Sequence, residues 1–143
     1  MLSPSQVRQV DETFIIDAAH GHHLDPLNYW VFDAGDGAPP TVDEIDEHFR
    51  RRAPFFAAAN RRYVGVPAHL DHGFWAADER ADDDRIQHDP RIGLDWPDML
   101  TALSAIAETP LDPRVQAWRI DIFHQVAHAP GTVGSATVVV LRG

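Results

Sequence analysis

Histidine is the residue type that first suggests chemistry. Nine of the 143 residues are His, and His20, His22 and His23 fall within one short stretch. An imidazole moves a proton near neutral pH or binds a metal through a ring nitrogen. A helical zinc pair needs a second ligand four residues on, and neither His22 nor His23 has one. Asp25 is a further donor nearby, but Gly21 and Pro26 mark a loop, and solvated side chains are the expected state there. His69 and His72 flank Asp71 in a second loop, where the same reasoning applies. The chain has no cysteine, so thiolate catalysis, disulfides and thiolate zinc sites are excluded. The residues give no reason to expect a metal or a cofactor.

Other motif tests are negative. No Gly-x-Ser-x-Gly elbow is present; the nearest string, Gly131-Thr132-Val133-Gly134-Ser135, has the wrong spacing. Neither a Gly-x-Gly-x-x-Gly fingerprint nor a phosphate-binding loop occurs. Every basic side chain is Arg, and two groups stand out, Arg50-Arg51-Arg52 and Arg61-Arg62. A guanidinium fork fits a phosphate, but both groups lie beside element ends, where Arg complements a helix C-terminus or is simply solvated. A net charge of −10 opposes a nucleic-acid surface, which needs clustered cations. The first five residues carry neither a basic segment nor an apolar core of the signal-peptide kind. No apolar stretch is long enough to cross a bilayer. A cytoplasmic chain is expected, with peripheral contact at a membrane or lipid surface as an extension of that reading.

The elements that must carry these residues mix helix and strand. Ser3 as cap, Pro4 and Gln6 predict a helix to about Glu12, followed by an extended Thr13–Ile16. Asn28–Asp33 reads as a strand, and residues 34–40 as a breaker. Thr41 and Glu44 form a capping box for a helix to Arg52 with Val42, Ile45 and Phe49 on one face. Residues 62–67 and Phe74-Trp75 read as strands. Residues 78–95 are acidic and turn-rich, with Ile86 and Ile92 as apolar anchors. Asp95-Trp96-Pro97 starts a helix with Met99, Leu100, Leu103, Ile106 and Ala107 as its stripe.

The last thirty-three residues organise the rest. In 117–123, Trp118, Ile120 and Ile122 alternate with Arg119 and Asp121, the period of a half-buried strand. Residues 135–143 hold three adjacent valines and a leucine, which suit a strand in the middle of a sheet. The expected fold class is α/β (α+β), a mixed sheet with flanking helices in one domain, residues 1–143.

The order of landmarks resembles the opening portion of the bacterial wax ester synthase/acyl-CoA:diacylglycerol acyltransferase family, which has the chloramphenicol acetyltransferase-like fold. Leu2-Ser3-Pro4 and Phe14-Ile15 match its first helix and Phe-Leu segment. Pro26-Leu27-Asn28 before Tyr29-Trp30-Val31-Phe32 matches its Pro-Met-His strand, with Asn28 in place of the His. Pro39-Pro40-Thr41 matches the turn into the next helix, Arg61–Pro67 the Arg-x-Arg strand, and Phe74-Trp75 with Asp78 the Trp and acidic stretch. Residues 110–118 match Pro-Leu-Asp-Arg-x-x-Pro-Leu-Trp, with Gln116-Ala117 where the family has Pro-Leu. Val138–Leu141 holds the place of the strand that delivers the family's catalytic His-His-x-x-x-Asp-Gly loop. The chain has no copy of that loop. After His22-His23 the Asp comes two residues on, at Asp25, and Leu27-Asn28 fill the Asp-Gly position.

The resemblance implies the N-terminal half of a chloramphenicol acetyltransferase-like fold and, with it, the N-terminal part of an O-acyltransferase that moves an acyl group from acyl-CoA, or a carrier thioester, to an alcohol acceptor, as in triacylglycerol or wax ester synthesis. It implies a domain incomplete after the strand at 135–143, with the His base supplied by a companion chain or by the remainder of the polypeptide. No catalytic residue is then expected here. Asn28, Trp30, Trp118, Ile120, Val138 and Val140 are the expected substrate-channel or partner-interface residues. With the Val138–Leu141 strand unpaired, the chain alone should aggregate and purify only with its partner. The alternative is a non-catalytic acidic α/β module that binds another chain through an edge strand.

Overall fold

The computed structural model describes residues 4–23, 25–52, 60–78 and 85–143. Three helices and seven strands follow in the order β1 (Ser5–Gln6), α1 (Gln9–Ala19), β2 (Leu27–Asp33), α2 (Val42–Arg52), β3 (Arg61–Val64), β4 (Phe74–Ala77), β5 (Ile86–His88), α3 (Trp96–Glu108), β6 (Arg119–Val126) and β7 (Ala136–Arg142). They build a three-stranded sheet, β1-β4-β3, and a four-stranded sheet, β2-β7-β6-β5. The α/β class expected from the sequence is the one observed.

The larger sheet holds the core. β7 runs antiparallel to both β2 and β6, while β5 lies parallel to β6. The valine-rich strand is therefore central, as its sequence predicts, but it is not unpaired: both of its edges are hydrogen-bonded. Among the described residues the free edges belong to β2 and to the short β5. Paired residues in neighbouring strands share a face, so Val31, Val138 and Phe123 form one row, and Tyr29 and Val140 begin another. These side chains point at α3. Met99, Ala102, Phe123, Val126, Ala136, Val138 and Val140 form the buried cluster, with Trp96, Leu103 and Ile106 packed on it.

A bulge explains why the alternation of β6 stops after Phe123. Three positions from Phe123 to Val126 oppose two from Val138 to Ala136, so one extra residue is inserted and the period of two is reset. Phe123 and Val126 consequently face the same core, and Gln125 between them takes a positive φ of 52° and points outward.

Four expectations need correction. The first helix runs from Gln9 to Ala19, through the segment read as extended, and residues 5–6 form β1; Ser3, its expected cap, lies outside the described residues. The β-branched residues Thr13, Ile15 and Ile16 lower helix propensity only slightly, and tertiary ties outweigh them. The most buried residue of α1 is Glu12, whose Oε1 accepts from Tyr63 Oη at 2.9 Å and Gly73 N at 2.7 Å, while Oε2 meets His72 Nδ1. Ile92 is 64% exposed and anchors nothing, whereas Ile86 belongs to β5. Ala102, not Ala107, completes the stripe of α3, and Leu100 is partly exposed. Finally, the polar face of β6 is not solvated: Asp121 and Arg142 are both buried. Asp121 Oδ1 accepts from Arg119 Nη2 at 2.7 Å, and Arg142 Nη1 donates to the carbonyls of Ile106 and Thr109 at the end of α3. The guanidinium thus satisfies carbonyls that a helix C-terminus leaves without partners.

The capping box of α2 forms as read, with Thr41 N donating to Glu44 Oε2 and Glu44 N to Thr41 Oγ1. Two glycines are required by close approach. A Cβ at Gly73 would sit 2.3 Å from the Tyr63 ring, and one at Gly134 would sit 2.2 Å from the Gly35 carbonyl oxygen. The second contact joins the turn after β2 to the β6–β7 connection, where the Asp33 carboxylate accepts from Gly35, Val133 and Gly134 N–H groups.

Candidate functional site

The face of the larger sheet turned away from α3 is covered unevenly. One row across the four strands is Trp30, Val139, Ile122 and His88; the next is Asn28, Leu141, Ile120 and Ile86. Toward β6 both rows are closed: Ile122 is fully buried and Ile120 is 8% exposed. Toward β2 they are open: Trp30 is 46% and Phe32 56% exposed, Asn28 is exposed, and Val139 and Leu141 are half-buried. Trp30 and Phe32, two positions apart on β2, thus put two large aromatic side chains side by side on an open sheet face.

The residues singled out from the sequence divide between the two faces. Asn28, Trp30 and Ile120 share the open face. Val138 and Val140 are on the other, enclosed under α3 with no exposed surface. Trp118 precedes β6, half-buried, with the Arg85 guanidinium 5.4 Å from its ring centre. That guanidinium is held by Asp78 at 2.6 Å and Asn60 at 2.9 Å. Gly143 lies beside Trp118 and donates its N–H to Pro26 O at 3.4 Å. Within the Val138–Leu141 strand it is Val139 and Leu141 that lie on the open face, and Phe32 joins them by the same period of two that groups Asn28 with Trp30.

Several of the candidate ligating and basic residues are engaged in local contacts. His20 Nδ1 caps the Ile16 carbonyl of α1, His22 and His23 are exposed, and His72 meets Glu12. Among the described residues no three His, Asp or Glu side chains are placed to hold a metal ion. Arg50 and Arg51 pair with Glu47, and Arg61 donates to Ser5 Oγ. Hydrogen bonds from Gly73 N and His72, aided by Tyr63, hold the Glu12 carboxyl below its ordinary range against the opposing effect of burial. The Val133, Gly35 and Gly134 N–H groups do the same for Asp33. Both are structural ties. Among the described residues no helix is long and apolar enough to cross a membrane.

No protein-family model matches the chain, and no curated protein matches its sequence. Solved structures do match. Wax ester synthase/diacylglycerol acyltransferase from Marinobacter aquaeolei VT8 superposes with a TM-score of 0.62 at 16% identity, over 96% of this chain and 33% of that one. The starter condensation domain of rhizomide synthetase RzmA gives 0.66 at 9% identity, over 99% of this chain and 33% of that one. A four-domain nonribosomal peptide synthetase bound to AMP and glycine gives 0.56 at 10% identity, over 99% of this chain and 10% of that one. The chain spans about a third of the length of the first two. Identities this low establish architecture alone: the chain has the condensation-domain, chloramphenicol acetyltransferase-like fold seen in those acyltransferase and condensation proteins.

Proposed function

We propose that this chain is the N-terminal part of an O-acyltransferase that transfers an acyl group from acyl-CoA, or a carrier-bound thioester, to an alcohol. The observation that carries the reading is the likeness, over 96% of the chain, to wax ester synthase/diacylglycerol acyltransferase. The sequence landmarks from Leu2 to Leu141 point the same way. In this reading the catalytic His-His-x-x-x-Asp-Gly segment belongs to a companion chain or to the remainder of the polypeptide, and its second His takes the proton of the attacking hydroxyl. The attack on the thioester carbonyl releases the thiol of CoA or of the carrier.

The contribution of this half is a wall and an interface. Asn28, Trp30, Phe32, Val139 and Leu141 present an apolar surface with one amide, suited to packing against a second apolar lobe and to lining an acyl channel. Trp118, steadied by Arg85, lies beside Gly143 at the edge of this wall. With a net charge of −10, this half leaves the anionic CoA to the other one.

The test is reconstitution. The chain is co-expressed with a polypeptide carrying the His-His-x-x-x-Asp-Gly segment, and thiol release from acyl-CoA is followed with a long-chain alcohol. The pair should form a complex and release thiol, and the Trp30→Ser/Phe32→Ser variant should lose both activities. Thiol release by this chain alone, or an unimpaired double variant, would overturn the reading. A second reading is favoured by the free edge of β2: a non-catalytic module that pairs with another chain by β-augmentation. Mass spectrometry of the co-purifying polypeptide separates the two by the presence or absence of the His motif.

A further inference from the structure

Three titratable side chains from three elements form a line at the β5 end of the larger sheet. His88 Nε2 is 2.8 Å from Asp46 Oδ1, and His88 Nδ1 is 2.8 Å from His124 Nε2. The imidazole planes are 20° apart and their centres 5.1 Å apart. With facing nitrogens at 2.8 Å, that centre separation puts the rings edge to edge rather than face to face. A lone pair on one ring therefore lies along the N–H axis of the other. The pair is a true N–H···N hydrogen bond.

Proton counting follows from the acceptor at one end. An ionised carboxylate only accepts, so Asp46 takes the N–H of His88 Nε2. A neutral His88 then offers a lone pair at Nδ1, and His124 donates its Nε2 hydrogen. One added proton is accommodated: His88 becomes an imidazolium donating both ways, and His124 shifts its hydrogen to Nδ1. A second added proton is not, because two N–H groups would then meet head-on at 2.8 Å with no acceptor between them. His124 is 5% exposed, so water cannot replace the lost acceptor in place.

The line also joins α2 to the sheet. Asp46 is on α2, His88 on β5 and His124 on β6. The other hydrogen bonds described for α2 stay within the helix and its cap: Thr41 with Glu44, Arg50 and Arg51 with Glu47, and Arg52 with His48. Such a helix keeps its caps and pairs when its dock is lost. We infer that Asp46, His88 and His124 form an acid-sensitive latch, which holds α2 on the β5 side of the sheet while at most one extra proton is shared between the two imidazoles and releases it when the second arrives.

The surrounding groups set its range. Burial holds His124 below the usual histidine value of 6.5, the charge on His88 adds to this, and Asp46 opposes it. Asp89, next to His88, is engaged by Arg91, on which Asp98 of α3 also acts. The released form takes up a proton that the latched form resists, so latching is lost as pH falls below 6.5 toward the depressed value of His124. The inference is independent of the acyltransferase reading.

Hydrogen exchange read by mass spectrometry tests it, on the full chain together with any polypeptide that co-purifies, between pH 7.5 and 5. After correction for intrinsic rates, protection of residues 42–52 and 86–88 should fall by up to about tenfold per pH unit as pH drops from 6.5 toward the depressed His124 value, the one-proton slope, and level off below it. Residues 136–142 should stay protected. His124→Gln, whose amide keeps an N–H but takes no proton, should flatten the response. An acid response identical in H124Q, or α2 protection that follows 136–142 at every pH, overturns the latch. Should H124Q fail to fold, imidazole NMR of the unaltered chain decides. Sequential protonation of the two rings, with α2 resonances moving at the second step, supports the latch, and independent titration of both rings overturns it.

Discussion

Two neighbouring valines in β7 provide a sharp test of the face assignment. Val138 has no exposed surface and sits between Val31 and Phe123 beneath α3, whereas Val139 sits between Trp30 and Ile122 on the half-open face. Val138→Ala removes two buried methylene equivalents at about 0.8 kcal/mol each. A cavity term adds to that, because Met99 and Phe123, both essentially unexposed, have little freedom to collapse inward. The expected loss is about 2–3 kcal/mol, or a Tm lowered by about 6–9 °C for a chain of this size. Val139→Ala gives up surface that is partly solvated already, so the expected loss is below about 1 kcal/mol and 3 °C. Thermal unfolding followed by far-ultraviolet circular dichroism measures both. Under the acyltransferase reading Val139→Ala has a second effect that Val138→Ala lacks, a weakened complex with the companion half. Equal destabilisation by the two substitutions, or a larger loss at Val139, would refute the row assignment and with it the open face.

Further outcomes follow from the buried polar groups. Glu12 has its folded-state pKa depressed, chiefly by the Gly73 N–H and His72, so its contribution is present above the ordinary value of 4.5 and disappears as pH falls through the folded value. Glu12→Gln should therefore be less stable than the unaltered chain at pH 7, with the gap closing below about pH 4 in urea unfolding; a gap that does not change with pH refutes this. Asp121→Ala should cost about 3–5 kcal/mol, because it leaves the buried Arg142 without its carboxylate. Arg119→Ala, at the more exposed end of the same cluster, should cost about 1 kcal/mol or less; denaturant midpoints rank the two. Gly134→Ala should be markedly worse than Gly65→Ala, since an added Cβ would sit 2.2 Å from the Gly35 carbonyl oxygen at position 134 and at an ordinary 3.5 Å from the Tyr63 ring at 65. If the two scans coincide, the close approach of the turns is wrong.

Much of the sheet was legible because its strands obey simple rules. The run of valines predicted a strand inside a sheet, and β7 has a neighbour on each side. The Thr41–Glu44 box and Pro97 fixed the starts of α2 and α3. What failed had physical reasons that one-dimensional patterns do not carry. Helix α1 buries a carboxylate and exposes Val10 and Phe14, the reverse of an amphipathic pattern, because Tyr63 and Gly73, 51 and 61 positions away, satisfy Glu12. β5 is three residues of weak alternation, held by a parallel partner that lies beyond α3 in the chain. Asp46, His88 and His124 are separated by 42 and 36 positions, and only the topology places them in line. The open face was half visible: period two joins Asn28, Trp30 and Phe32, but which of Val138 and Val139 accompanies them depends on register, and register is not written in a run of identical residues.

The bulge in β6 gives that register its consequence for both sites. Without the extra residue after Phe123, Val126 would change faces and leave the core under α3, exposing the Ala136–Val138 end of the central strand. With it, Phe123 and Val126 both seal that face, Gln125 takes up the inserted position, and His124 is left on the opposite face with Ile122 and His88. The insertion therefore closes one side of the sheet, while His124, which precedes it, keeps by plain alternation the Ile122 face, where His88 and α2 can reach it. Coverage of the second face then begins at Asp46 on the β5 side and fades toward Trp30 and Phe32. Under the acyltransferase reading the companion surface approaches from the β2 side and brings apolar surface, because the open rows end there in Trp30 and Phe32, with Asn28 as the one polar contact.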